Sequence, residues 1–377
     1  MNGIVAYGVY LPYYRLERAA IGAALGVSAG RGTRAVASYD EDSTSMAVEA
    51  GRIALRSAPT VKPTTLSFAT TVPAYLDKTN ATAIHAALGL DPNVGAFDMG
   101  GAIRSGVGAI RAALEAARPT LVTLSDVRTG LPGGGDEREG GDGAVALLCA
   151  RAADGAPLLA EPLASASATS EFLERWRVPG DSSSRQWEER FGEHVYVPLA
   201  ESAISEALKQ AGVEAGRVHR LIVAGPHGRA VKRAAGAVGV KPDALGDDLT
   251  GVIGNTGIAH GSLLLAAALE RAAPDEIIVV ASLADGADAH IWRTTRAVAT
   301  RQPVATVAQQ AASGSALPYA TFLTWRGFLE REPPRRPDPE PPAGPPSFRT
   351  EAWKFGFVGS RCQGCGARHV PPQRVCV

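Results

Sequence analysis

Hydrophobic positions along the chain fall into runs of two kinds. Short apolar runs recur at 66–71 (LSFATT), 120–127 (TLVTLSDV), 141–150 (GDGAVALLCA), 221–226 (LIVAGP), 276–283 (EIIVVASL) and 285–292 (DGADAHIW). Their length and their Val, Ile and Leu content, bounded by Gly or Pro, predict buried strands. Between them lie longer Ala-rich stretches with helical spacing, at 81–90, 97–117, 230–240 and 249–273. The order strand, helix, Gly-rich turn, apolar helix, strand, strand occurs twice, with a DGA turn at matching places, 142–144 and 285–287. A weak internal repeat follows. The stretch SLLLAAALERAA (262–273) is apolar nearly all round, the pattern of a helix buried on both sides. Two βα-type halves, each feeding a buried helix, predict a layered α/β body in which two sheets sandwich helices. The more polar segment 151–220 reads as an insertion between the halves, at a substrate mouth or a dimer surface. It is irregular at first and then helical from about Leu199 to Gln210.

Composition adds bounds to this picture. A chain of 377 residues with 45% hydrophobic and 20% charged residues has material for a large core in about two domains, not for a disordered chain. Lys+Arg and Asp+Glu both number 38, so charge gives no case for nucleic acid or for an anionic membrane as partner. The start, MNGIVAYGVYLP, has no basic region followed by an apolar run, and the longest apolar stretch, 262–269, is far too short to span a bilayer. Three of the four cysteines crowd into the last 16 residues, which is no disulfide framework. A reducing, cytoplasmic setting is the default expectation. Residues 331–346, REPPRRPDPEPPAGPP, cannot form a helix or a sheet core, because Pro lacks the N–H and fixes φ. They predict an extended linker between a body, divided at 1–165 and 166–330, and a terminal segment, 347–377.

Candidate chemistry lies at the turns. FDMGGAIRS (97–105) enters an apolar helix, whose N-terminus lowers the pKa of a thiol placed there. The turn, however, carries Gly100, Gly101, Ala102 and Ile103 and no Cys, and a tight strand–helix turn accounts for it. His227, in AGPHGRAVK, directly follows the strand LIVAG, at a strand end where α/β folds bind ligands. A His there can polarise a carbonyl or move a proton, and Lys232 can meet a phosphate. A solvated surface loop explains the same residues. Asn255, in GVIGNTG, can donate its amide to a carbonyl oxygen, although a turn Asn in left-handed geometry needs no ligand. His85 and His260 lie in apolar helical stretches and read as core residues, while His194, His219 and His290 have no chemical partner nearby in sequence. The loop LPGGGDEREGGDG (131–143) lacks both GxGxxG and a P-loop Lys-Ser and is no nucleotide site. Near the end, Cys362-x-x-Cys365 and Cys376 form one CxxCG knuckle and part of a second, with His369 poorly spaced to complete four ligands.

Taken together, GIVAYGVYLP (3–12), DEDSTSMAVEA (40–50), ATTVPAYLDKTNAT (69–82), FDMGGAIRSGVGAI (97–110), GDGAVA (141–146), PHGRAVK (226–232), GNTG (254–257) and LADGADA (283–289) carry a resemblance. The body resembles the hydroxymethylglutaryl-CoA synthase branch of the thiolase superfamily. The tail resembles the acyl-CoA-associated zinc-ribbon/OB-fold family. This resemblance implies a thiolase-like αβαβα fold of two repeated halves, then the Pro-rich linker and a truncated zinc ribbon. It also implies a homodimer, an acyl-CoA substrate, a place in lipid metabolism, and a thiolase or OB-fold partner protein. No cofactor is implied for catalysis, and zinc is implied at the incomplete ribbon through Cys362, Cys365 and Cys376.

The family condenses acetyl-CoA with a 3-ketoacyl-CoA through an acyl-Cys, with a Glu as acid/base, a His that polarises the ketone and an assisting Asn. Carried over residue by residue, the His falls on His227, the CoA-contacting Lys on Lys232 and the Asn on Asn255. The Cys falls on Ile103, left as a substrate-lining residue, and the Glu falls at or beside Thr71. An aliphatic side chain cannot form a thioester. Two expectations follow. One is an acyl-CoA enzyme making or breaking a C–C bond by aldol chemistry, without an acyl-enzyme and with Tyr75 as acid/base candidate. The other is an inactive thiolase-like subunit that binds acyl-CoA or scaffolds a partner. The missing Cys and Glu favour the second, and the retained His227, Lys232 and Asn255 favour the first.

Overall fold

The computed structural model describes residues 2–301, 303–340, 343–345 and 352–376. In its first half, β1 (Gly3–Tyr10) leads to the small β2 (Tyr14–Glu17), α1 (Arg18–Leu25) and β3 (Thr33–Val36). Then come α2 (Ser43–Ser57), β4 (Thr65–Thr70), α3 (Ala81–Leu88), β5 (Gly95–Gly100), α4 (Arg104–Glu115), β6 (Thr120–Asp126), α5 (Gly135–Glu139) and β7 (Gly143–Ala150). The second half opens with β8 (Ala160–Ala168), then β9 (Arg175–Trp176), β10 (Arg185–Gln186), α6 (Glu189–Ala211), β11 (Arg220–Ala224) and α7 (Gly228–Ala237). It closes with α8 (Thr250–Ile253), α9 (His260–Leu269), β12 (Ile277–Leu283) and β13 (Ala287–Thr294).

The strands lie in the order β11-β12-β13-β8-β1-β7-β6-β4-β5. Strands β1 and β8 meet at only one residue pair, Ile4 with Ala160, so the row divides into two sheets. The repeat predicted from the pattern is visible in the pairing. In each half two antiparallel neighbours precede a parallel pair: β1-β7-β6 then β4, and β8-β13-β12 then β11. The first sheet adds β5, parallel to β4, at its edge. At the matching edge of the second, only a single parallel bridge of Leu221 with Leu245 stands in its place.

Burial divides by strand period. On β7, Val145, Leu147 and Cys149 face a core shared with α4 and α9, whereas Ala144, Ala146, Leu148 and Ala150 face α2 and α3. The outer face of the second sheet packs on α6 and α7 through Ala200, Ile204, Val223, Ala230, Val279 and Ile291. The layers are therefore α2/α3, sheet, α4/α9, sheet and α6/α7, the αβαβα arrangement. Helix α9 is buried from Ser262 through Leu269, as its all-round apolar pattern requires. No helix among the described residues is long and apolar enough to cross a membrane.

Three elements differ from the sequence pattern. Strand β8 lies inside the segment read as an irregular insertion, yet it pairs with β13 along Ala160–Ala168 as part of the second sheet. FDMG, read as part of a Gly-rich turn, is strand β5, whose exposed Phe97 and Asp98 hide the alternation expected of a buried strand. Helix α6 begins ten residues before Leu199 and runs through Pro198. Proline removes one backbone hydrogen bond from a helix, but Tyr196, Ala200 and Ile204 bury the inward face and hold the helix across it. After the second half, α10 (Val307–Ala312), β14 (Ser315–Ala316) and α11 (Tyr319–Trp325) pack back on the body. Residues 331–340 are exposed and carry no helix or strand.

Candidate functional site

The C-terminal ends of the parallel strands β4, β5, β6, β11 and β12 deliver Thr71, Gly100–Ile103, Asp126–Arg128, Pro226–His227 and Ala284–Asp285 to one side of the body. Ligands of α/β sheets gather at such ends. Two cavities open there. The first, of about 660 Å³, is lined among others by Thr71, Tyr75, Ile103, Arg175, Trp176 and Tyr196. The second, of about 530 Å³, is lined by Glu174, His227, Lys232, Asn255 and His260, with Arg18, Arg138 and Arg229 around it. Arg128 and Pro226 line both. The structure thus brings His227, Asn255 and Lys232 together and places Ile103 and Tyr75 in the neighbouring cavity. The partition is the short strand β9 with Glu174 before it.

His227 is buried and caps α7, its Nδ1 accepting from the Ala230 N–H at 3.0 Å. The neutral ring therefore carries its hydrogen on Nε2. Asn255 is fixed by a turn that crosses between the halves. Its N–H donates to Glu139 O at 2.7 Å and its carbonyl accepts from Gly141 N–H at 2.9 Å. Beside it Gly254 has φ 76°, and a Cβ there would meet Gly140 O at 2.2 Å, so only glycine fits. The Asn255 side chain donates from Nδ2 to Gly225 O at 2.7 Å and accepts at Oδ1 from Gly257 N–H at 2.9 Å. That orients the amide and leaves the second Nδ2 hydrogen available. Lys232 stands exposed on α7.

In the first cavity, Ile103 precedes α4 and offers no heteroatom. Ser105 donates its hydroxyl to Gly100 O at 3.0 Å. Thr71 donates both its N–H (2.7 Å) and its hydroxyl (2.9 Å) to Asp126, a fully buried carboxylate that also accepts from the Ile258 N–H at 2.9 Å. Burial raises the Asp126 pKa, with Arg128 opposing. Arg177 reaches the Thr71 carbonyl. Tyr75 is 59% exposed, on a loop stapled by Asn80, which accepts from the Tyr75 N–H at 3.0 Å.

The residues between the cavities escaped the sequence pattern. Arg175 grips Asp136 with two bonds, of 2.7 and 2.6 Å, and Arg128 joins it at 3.4 Å. Glu174 is 3% exposed and one of its oxygens, Oε2, is buried without a hydrogen-bond partner. Burial raises its pKa, against the opposing effects of His227, Arg175 and the Tyr196 hydroxyl. Only the bare ERW tripeptide marks Glu174 and Arg175 in the sequence, and Asp136, the partner of Arg175, lies 39 residues away.

At the C-terminus, β15 (Ser360–Arg361) and β16 (Arg368–His369) form a hairpin around the CxxC turn. The sulfurs of Cys362, Cys365 and Cys376 all lie within 4.8 Å of one another, with Cys365 and Cys376 at 3.4 Å. Zinc–sulfur bonds of about 2.3 Å in a tetrahedron separate sulfurs by about 3.8 Å, so the cluster fits a metal. Hydrogen bonds from the Cys365 and Gly364 N–H groups, with those of the neighbouring thiols, lower the Cys362 thiol to about 7, toward the thiolate a metal needs.

Comparison with known proteins agrees with the layered fold. No family model matches the chain. It is 29% identical over 320 residues to the hydroxymethylglutaryl-CoA synthase of Aeropyrum pernix, covering 80% of this chain and 88% of that one. To the synthase of Pyrobaculum neutrophilum it is 28% identical over 348 residues, covering 87% and 98%. Among solved structures it superposes with a TM-score of 0.71 on MvaS in complex with 3-hydroxy-3-methylglutaryl coenzyme A, at 20% identity, covering 90% of this chain and 94% of that one. The 3-oxoacyl-[acyl-carrier-protein] synthase III of Aquifex aeolicus gives 0.68 at 21% identity, covering 78% and 100%. The chain has the thiolase-like fold, and its sequence is similar to hydroxymethylglutaryl-CoA synthases.

Proposed function

We propose that the chain binds an acyl-CoA thioester in the cavity of His227 and Asn255 and makes or breaks a C–C bond in it without an acyl-enzyme. The observation that carries this is the meeting in one cavity of His227, whose ring is oriented through Nδ1, and Asn255, whose amide is oriented through Nδ2 and Oδ1, beside the exposed cation Lys232. Two neutral donors suit a thioester or enolate oxygen. Lys232, with Arg229 and Arg138 nearby, suits the phosphates of CoA. Similarity to the synthases, and to the structure solved with 3-hydroxy-3-methylglutaryl coenzyme A, supports the substrate class.

Acyl transfer through the chain is not part of the reading. Ile103 has no nucleophile, Ser105 is committed to Gly100 O, and Cys149 is fully buried with its thiol pushed up to about 12. Aldol chemistry needs none of these. In the cleavage direction a base takes the β-hydroxyl proton, the Cα–Cβ electron pair returns to Cα, and a proton reaches Cα. A 3-hydroxyacyl-CoA then gives a carbonyl compound and a shorter acyl-CoA, with every atom conserved.

The second reading, an inactive acyl-CoA-binding or scaffolding subunit, is favoured by Ile103 and Thr71, which leave the first cavity without the nucleophile and acid of the resembled family. Incubation with a 3-hydroxyacyl-CoA separates the two. Release of a shorter acyl-CoA, with no acyl group on the 97–117 peptide, is expected. A ligand that binds and stays intact supports the inactive subunit.

The three-sulfur cluster belongs to the same proposal as a zinc-binding fragment beside the body, and the body as one half of a homodimer. Zinc titration followed by metal analysis is expected to find about one ion per chain and at least about a tenfold loss in Cys362→Ser. Equal content in both proteins contradicts the zinc assignment.

A further inference from the structure

The neutral form of His227 is spoken for as a donor. Its Nδ1 accepts from the Ala230 N–H, so Nε2 carries the hydrogen and the ring can polarise an oxygen but cannot take a proton. Asn255 is also only a donor toward the cavity, because its oxygen accepts from Gly257. A carbanion reaction needs a base as well as an oxyanion site. Tyr75, the acid/base candidate from sequence, lines the other cavity.

We infer that Glu174 is the base that removes and returns the α-proton of the bound thioester, working beside His227. Three observations converge on it. Glu174 lines the same cavity as His227 and Asn255. It is more than nine-tenths buried, and its Oε2 has no hydrogen-bond partner, a state that costs free energy unless something else uses it. It also sits against His227. A Cβ placed on Gly192 of α6 would lie 2.9 Å from Glu174 Cγ and 3.0 Å from His227 Nε2, so the bare glycine is what lets both side chains crowd the same point.

The Tyr196 hydroxyl, near enough to Glu174 to oppose the rise in its pKa, accepts from the Asp285 N–H at 3.3 Å. Burial raises the Glu174 pKa, which strengthens the carboxylate as a base. The step balances without a co-reactant. The carboxylate takes H⁺ from Cα, the C–H electron pair moves into the enolate, and the oxygen is held by His227 Nε2–H and Asn255 Nδ2–H. Return of the proton restores the thioester, and in D₂O the returned particle is a deuteron.

This assignment rests on thioester binding in that cavity, so the two are tested separately. Calorimetry with acetyl-CoA measures binding, and loss of the acetyl methyl proton signal in D₂O measures exchange. The wild-type chain is expected to bind and to exchange. E174Q is expected to keep its affinity within about threefold and to exchange at least about 100-fold more slowly. E174D, which keeps a carboxylate one methylene further back, is expected to restore part of the exchange. Undiminished exchange in E174Q overturns the assignment while leaving binding intact, as does wild-type binding with exchange no faster than in buffer. Absence of wild-type binding overturns both. If E174Q does not fold, E174D decides: an unchanged exchange rate overturns the assignment, and a rate about tenfold lower supports it.

Discussion

Replacing Asp142 by alanine is expected to destabilise the chain by about 3–5 kcal/mol, which lowers the melting temperature by roughly 5 °C for a chain of this size. Asp142 is fully buried in the loop before β7. It accepts the Ala37 and Arg128 N–H groups, each at 2.7 Å, and pairs with Arg34 at 3.3 Å and with Arg326. Arg34 is itself fully buried, held also by the carbonyls of Glu137 and Arg128 at 2.6 Å. Burial already lowers the Arg34 pKa to about 10, and removing the carboxylate leaves two guanidinium groups without their counter-charge. The cluster joins β3, the 128–142 loop and the segment after α11, so it braces the loop on which Asn255 rests. Thermal denaturation of Asp142→Ala measures the effect. A change under about 1 kcal/mol would mean that the arginines re-pair and that the cluster does not brace the loop.

The second large effect is on acid stability. His260 and His290 are buried, and burial pushes both imidazoles down to about 4, with Asp248 and Asp288 offsetting part of it. Their unfolded pKa is about 6.5, so below that pH the unfolded chain binds the proton and the folded chain does not. Stability from each is therefore full above pH 6.5 and lost as pH falls toward 4. Asp126 and Glu174 act in the opposite sense, because their folded pKa values are raised. A single substitution isolates one histidine from this sum. Between pH 7 and pH 4.5 the stability of His290→Gln relative to the wild type is expected to rise by about 2.5 kcal/mol. A difference that does not change with pH contradicts a neutral buried His290.

What was legible in the sequence follows from where the information lies. The strands β4, β6, β7, β11, β12 and β13 and the helix α9 carry their pattern within a few residues, and they could be read. Strand β5 could not, because Phe97 and Asp98 face outward. The full length of α6 was hidden by Pro198, whose local cost is outweighed by packing at Tyr196 and Ile204. For the site, His227 and Asn255 announced themselves by their turns. Their separation from Ile103 and Tyr75 depends on Glu174 and Arg175, and on the hold of Asp136 across the halves. Such contacts leave no local pattern. The unpartnered Glu174 oxygen is visible only when α6 and α7 are packed together.

The central claim is that an acyl-CoA thioester occupies the cavity of His227, Asn255 and Lys232. Calorimetric titration with acetyl-CoA and acetoacetyl-CoA, on the wild type and on His227→Ala and Lys232→Ala, tests it most directly. Saturable binding that each substitution weakens by about tenfold or more, about 1.4 kcal/mol, is the expected result. No binding of either thioester, or binding that both substitutions leave unchanged, would contradict the claim.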